Sequence, residues 1–232
     1  MNKMAIFVEG YTEVEFATKL ILEIANENQV EIEWRKITGG KKCRRHSRLL
    51  QTITTEGGHE HFIAILDCGN DALVKTRMVE EYPNLIKAGY SQIMCIRDVF
   101  PEFTYDEIPR LEVGLLYGVK TKPVEVQFVL SIMEAEAWFL AEHTHLQRID
   151  PQITLEAIQA ELAFNPSVDD LETRPTPAND LSDCYGIANK EYRKGNAKQT
   201  VDAMDFASVY CEVSTRFRHL QLFCDEITSF LS

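Results

Sequence analysis

The sequence predicts an α/β fold: a mostly parallel sheet flanked by helices, followed by a helical C-terminal region. Three observations predict it. Short apolar runs alternate with stretches of helical character, which calls for crossover connections between parallel strands. The three strongest runs, MAIFVE, FIAILD and QIMCIRD, each stop on a carboxylate. From about residue 150 the strand signals cease and helical composition takes over.

Residues 4–9 read as a short buried strand ending at Glu9. A helix follows from Thr12, a candidate cap, with Phe16, Leu20, Ile21 and Ile24 at helical spacing and Asn26 to Asn28 as its stop. VEIEWRKI, residues 30–37, alternates as a half-buried strand, and Thr38-Gly39-Gly40 breaks it. The basic stretch 43–54 reads as a short helix, interrupted at Gly57-Gly58. FIAILD, residues 62–67, is the most strand-like run. CGND then turns into a helix from Ala72 to about Lys87, crossed by Pro83 and closed by Gly89. After the strand QIMCIRD (92–98), a loop with Pro109 and a short helix lead to the strand VEVQFVLSI (124–132). That strand runs into MEAEAWFLAEH, of strongly helical composition. TLEAIQAEL is another helix, PSVDDLETRPTPAND an acidic loop, and the remainder helical. The expected division is an α/β core at 1–148 and a helical region at 149–232 packed on it.

The formal net charge of −12 argues against a protein that coats nucleic acid. The sign reverses locally. RKITGGKKCRRHSR, residues 35–48, carries seven Lys/Arg and one His, and all 36 acidic residues lie outside it. Such a run is either a solvated helix turn or a contact for a phosphate-bearing partner, through Lys41, Lys42, Arg44, Arg45 and Arg48. Six cysteines with no CxxC fit reduced thiols in the cytoplasm. No apolar window has the length of a membrane helix, and the first residues lack the features of a signal peptide. A cytoplasmic protein without membrane association is expected.

In an open parallel sheet the ligand crevice lies beyond the carboxyl ends of the strands. Glu9, Asp67 and Asp98 each stand at that end of a separate strand, and neighbouring strands would gather them at one rim. Clustered carboxylates raise one another's pKa and are relieved by a hard divalent cation. Oxygen-only ligands suit Mg²⁺ or Mn²⁺, and with them phosphoryl transfer or phosphodiester hydrolysis. The bland alternative is that acids at strand ends simply meet water. Glu13 lies in the first helical turn, where a carboxylate also favours the dipole. Glu134 and Glu136 straddle a strand-to-helix transition near the rim and are accessory candidates. Other chemistries are weaker. TGGKK lacks the glycine spacing of a Walker phosphate loop, and Ser131 has no suitably placed histidine. His59 and His61 sit at a strand entrance where polar side chains are ordinarily solvated, and His143 and His145 diverge on a helix.

VEGYTE after an N-terminal apolar strand (residues 8–13) resembles the first motif of the Toprim (topoisomerase–primase) superfamily. SIMEAEAWFLAE (131–142) resembles a segment of small uncharacterised bacterial proteins related to the OLD-type Toprim nucleases. The likeness spans about residues 4–145. It implies a Rossmann-like core, a bound Mg²⁺, Glu9 as metal-linked acid or general acid/base, and Asp67 as metal ligand. The family's DxD spacing would place an aspartate at 69, where this chain has Gly69, and acids resume only at Asp71. Asp98 either supplies the missing ligand from the next strand or is itself the DxD counterpart, with Glu102 behind it. The resemblance thus implies a Mg²⁺-dependent nuclease or phosphotransfer enzyme acting on nucleic acid, in the setting of defence against mobile elements. Its catalytic residues would be Glu9, Asp67 and Asp98, with Asp71 as a further ligand. The alternative is a non-catalytic Toprim-fold subunit of a partner ATPase, which the broken DxD and the negative charge favour.

Overall fold

Met4, Ile6 and Val8 point to one face of the first strand and Ala5 and Phe7 to the other, and all five are fully buried. A strand covered on both faces needs helices on both. The computed structural model describes residues 1–232 except 27, 41–42, 57–59 and 121, with the backbone alone at 43, 44 and 196. Its α/β portion runs β1 (Asn2–Val8), α1 (Tyr11–Ala25), β2 (Val30–Gly40), β3 (Cys43–Thr54), β4 (His61–Asp67), α2 (Asp71–Lys87), β5 (Gln92–Asp98), α3 (Ile108–Leu116) and β6 (Val126–Ser131). The six strands lie in the order β3-β2-β4-β1-β5-β6. All neighbours are parallel except β2 and β3.

The helices that follow are α4 (Glu136–Ala141), α5 (Thr144–Ile149), α6 (Leu155–Leu162), α7 (Pro177–Gly186), α8 (Lys198–Ala203), α9 (Phe206–Cys211) and α10 (Arg218–Leu231). They pack on the α1 face of the sheet. One apolar cluster contains Ile6, Ile65 and Met94 of the sheet, Leu20 of α1, and Trp138, Leu181, Val209 and Phe223 of the later helices. On the opposite face Val74, Met78, Tyr82 and Leu85 of α2 cover Ala5, Phe7, Leu66 and Cys95. Leu111 and Leu115 of α3 close a third cluster with Val99, Leu130 and Ile132. No helix among the described residues is long and apolar enough to cross a membrane.

Three local expectations are corrected. Residues 43–54 form β3, antiparallel to β2, and not a helix. Pairing removes the open edge that β2 would otherwise present, and the β-branched run Thr52-Ile53-Thr54 suits a strand. The cap of α1 is Gly10, not Thr12. The Glu13 carboxylate accepts from the Gly10 N–H at 3.0 Å, and the Thr12 hydroxyl donates instead to the Lys194 carbonyl. Helix α4 starts only at Glu136, because Met133 takes a left-handed φ of 61° that bends the chain after β6.

The β2–β3 hairpin outruns the sheet. Lys36 pairs with Asp67, the last residue of β4, and Ile37–Gly40 continue with β3 alone. Four residues project it roughly 13 Å past the carboxyl rim. Arg77 of α2 donates to the Gly39 carbonyl at 2.9 Å, and Arg45 pairs with Glu80, so the hairpin leans on α2.

Phe16 is the keystone between sheet-side and later helices, with ring centroids 5.7 Å from Trp138, 5.3 Å from Phe139 and 5.6 Å from Phe206. Phe16→Ala is expected to cost about 3–5 kcal/mol in denaturant unfolding and to leave one cooperative transition. A two-step melt that loses the C-terminal helices first would contradict a shared core.

Candidate metal centre

Each strand-to-helix junction at the carboxyl rim delivers acids. Glu9 follows β1 and Glu13 lies in the first turn of α1, while Asp71 opens α2. Asp98 ends β5, and Glu134 and Glu136 follow β6. Of these six carboxyl groups only Glu9 is partly exposed, and Asp98 and Glu136 are 0% exposed. Glu13 and Asp71 sit at the positive ends of long helices, which lowers the cost of carrying charge there.

Ligand atoms of Glu9, Glu13 and Asp98 lie within 4.8 Å of one another, and so do those of Asp98, Glu134 and Glu136. The buried acidic cluster could therefore hold a metal ion. Fixed donors hold its members in place. Asp98 Oδ1 accepts from the Ala135 N–H at 3.1 Å, and Glu134 Oε2 from the Ala178 N–H of α7 at 2.9 Å. Glu136 Oε1 accepts from the Tyr192 hydroxyl at 2.6 Å, and Asp71 Oδ1 from the Asp98 N–H at 2.8 Å. Lys194 Nζ reaches into the cluster, 2.6 Å from Asp98 Oδ2 and 3.2 Å from Glu134 Oε1. Among the described residues, three buried oxygens of these carboxyl groups have no hydrogen-bond partner: Glu9 Oε2, Glu13 Oε1 and Glu136 Oε2.

Burial and mutual repulsion show in the proton affinities. Burial, with the charges of Asp98 and Glu9, raises Asp71 from 3.8 to about 8. Burial raises Asp98 to about 7, against the lowering effect of Lys194. Glu13 stands well above the ordinary carboxylate range through burial and the charges of Asp98 and Glu9, and Glu136 is raised by burial. Burial would lower the Lys194 ammonium, but the Asp98 and Glu136 charges reverse that and hold it up.

Asp67 is not among the gathered residues. Strand β1 separates β4 from β5, so Asp67 and Asp98 are two strand spacings apart, roughly 10 Å. The registers Val8↔Asp67 and Phe7↔Cys95 set Asp98 two residues further along, roughly 7 Å. Asp67 instead pairs with Lys36 at 3.0 Å, caps the Gly69 N–H at 2.9 Å, and borders a cleft of about 500 Å³ between α1 and the hairpin. Glu102 pairs with Arg97 at 3.0 Å and also stays outside the cluster.

Of the basic candidates, Arg48 is exposed on β3 and Arg45 is paired with Glu80, while Lys41, Lys42 and the Arg44 side chain lie outside the described residues, as does His59. His145 is buried with Nδ1 2.6 Å from the Glu142 carbonyl, and His61 packs its ring 5.3 Å from that of Phe230. Sequence reading passed over Tyr192 and Lys194. The available signal was the locally basic NKEYRKGNAK in an acidic chain, but nothing there indicates a return to the rim.

An acid whose folded pKa is raised holds its proton more firmly in the native state. Stability is then greatest below the unfolded value and falls as pH rises toward the folded one. Asp71 and Asp98 place that loss between about pH 4 and 8. Asp71→Asn is expected to shrink the decline in metal-free protein, measured by urea unfolding across that range. An unchanged or steeper decline would contradict the assignment.

Comparison with known proteins yields no matching family model, no significant match to a curated protein and none to a solved structure.

Proposed function

We propose that the chain is a divalent-cation-dependent enzyme of phosphodiester hydrolysis or related phosphoryl transfer on nucleic acid. The observation that carries this reading is the convergence of six carboxyl groups on one rim, with Glu9 Oε2 and Glu13 Oε1 buried and unpaired. Oxygen-only donors fit a hard cation, Mg²⁺ or Mn²⁺, and Glu9, Glu13 and Asp98 are the residues to hold it. When bound, such an ion polarises a phosphoryl oxygen and makes its own water more acidic. The chain supplies the rest. Asp71, raised to about 8, keeps a proton at neutral pH and lies within hydrogen-bonding reach of Glu9, so it steadies that carboxylate. Of the six, Glu9 alone is partly exposed, so the cation it would help hold is reachable by a substrate.

The β2–β3 hairpin supports the choice of substrate, because among the described residues it carries Arg45 past the carboxyl rim of the sheet and the exposed Arg48 level with it. Phosphate contacts there would position a nucleic-acid strand without reading its sequence. The resemblance of VEGYTE to OLD-type Toprim nucleases, and of EAEAW to uncharacterised bacterial proteins related to them, supports the same reading, and with it a role against mobile elements. One feature favours the rival, a non-catalytic subunit serving a partner ATPase: Lys194 already neutralises part of the cluster.

Two measurements separate these readings. Wild type is expected to bind Mn²⁺ in calorimetry and to cleave plasmid DNA or RNA in its presence, and Glu13→Gln to lose on the order of 100-fold in rate. Binding without cleavage of any nucleic acid would favour the rival. Arg48→Ala should weaken nucleic-acid binding and reduce the slope of log K against log salt by about 1; an unaltered slope would remove the hairpin from the interface.

A further inference from the structure

The rim holds two oxygen clusters that share Asp98, and they are neutralised differently. Lys194 Nζ sits 2.6 Å from Asp98 Oδ2, 3.2 Å from Glu134 Oε1 and 3.8 Å from Glu136 Oε2. Among the described residues no Lys, Arg or His makes an ion pair with Glu9 or Glu13. Glu134 and Glu136 therefore already have a cation beside them and Glu9 and Glu13 are not ion-paired, while the shared Asp98 meets Lys194 through Oδ2.

We propose that Lys194 is the resident counter-ion of the Asp98–Glu134–Glu136 cluster. It limits the rim to a single divalent ion, seated by Glu9, Glu13 and Asp98. This rests on the cation-dependent reading above and deepens it from a cluster of acids to a defined stoichiometry. Three observations carry it beyond the ion pairs. Glu136 is 0% exposed, yet among the described residues its Oε2 has no hydrogen-bond partner, and it lies 3.8 Å from the ammonium, so it is directed into the cluster. The three carboxylates offer oxygens within 4.8 Å of one another, a spacing that closes with small shifts around an ion at about 2.1–2.4 Å. The segment bearing Lys194 is also anchored on both sides. The Thr12 hydroxyl of α1 donates to its carbonyl, and the Tyr192 hydroxyl two residues earlier donates to Glu136 Oε1 at 2.6 Å. An ammonium held there and a divalent ion in the same oxygens exclude each other by size and by charge repulsion at short range.

The test is the number of Mn²⁺ ions bound per chain, by calorimetry and by electron paramagnetic resonance, for wild type, Lys194→Met and Lys194→Arg. Methionine keeps most of the length of the side chain without its charge, and arginine keeps the charge. One ion is expected in wild type and in Lys194→Arg, and two in Lys194→Met. Lys194→Met/Glu13→Gln is expected to retain one, at the vacated cluster. Two ions in wild type, or one in both wild type and Lys194→Met, would overturn the proposal. No ion in wild type but one in Lys194→Met would overturn the Glu9–Glu13–Asp98 site while supporting the role of Lys194; none in either would overturn both. Removing the ammonium leaves buried carboxylates uncompensated, so thermal unfolding is followed in parallel. Lys194→Met is expected to melt earlier than wild type in chelator and to recover on adding Mn²⁺. If it is unfolded in chelator, return of the native circular dichroism with Mn²⁺ supports the proposal, and failure to return contradicts it.

Discussion

Six carboxyl groups brought to one edge of a sheet, with one ammonium among them, set the terms for this protein. Removing an ionised group from water costs several kcal/mol unless partners make up the loss. Here the partners are specific: the Gly10, Ala135 and Ala178 N–H groups, the Tyr192 hydroxyl and Lys194. Raised proton affinities at Glu13, Asp71, Asp98 and Glu136 show that the compensation is incomplete. A fold selected for stability alone would place apolar side chains at such positions, so the residual strain points to use.

That constraint explains why the helical region after residue 149 is integral to the molecule. Tyr192, Lys194 and the Ala178 N–H all come from it, and all three contact rim carboxylates. Their positions are fixed by apolar packing far from the charges, where Phe16 joins α1 to α4 and α9. The sheet brings the acids together through strand order, and the later helices bring the neutralising groups. Neither half presents the site alone. The basic hairpin is held by other contacts, Arg77 and Glu80 of α2 to Gly39 and Arg45, and Lys36 to Asp67.

Much of this was legible in the chain. Apolar runs ending at Glu9 and Asp98 announced strands that deliver acids to a crevice, because burial on both faces writes continuous apolar sequence. Asp67 carries the same local signal and does not join the cluster, since lateral strand order and register are tertiary facts that no single run encodes. The acid that β4 and α2 contribute to the rim is Asp71, four residues on, at the helix start. Glu13 looked like an ordinary first-turn acid, and its cap to Gly10 is indeed ordinary; only the company of Glu9 and Asp98 gives it a second role. The basic segment read as a helix because charge and propensity are local, while its strand pairing is imposed by β2. Lys194 was out of reach, as its contacts span from 58 to 96 residues of sequence.

The central claim is that the unpaired oxygens of Glu9 and Glu13, with Asp98, form a seat for one divalent cation. Anomalous diffraction from crystals grown with Mn²⁺ tests it most directly. The account predicts one strong peak bounded by those three carboxylates, with the Lys194 side chain still between Asp98 and Glu134. A rim without a peak, or an ion bound at Asp67 in the cleft beside the hairpin, would contradict it.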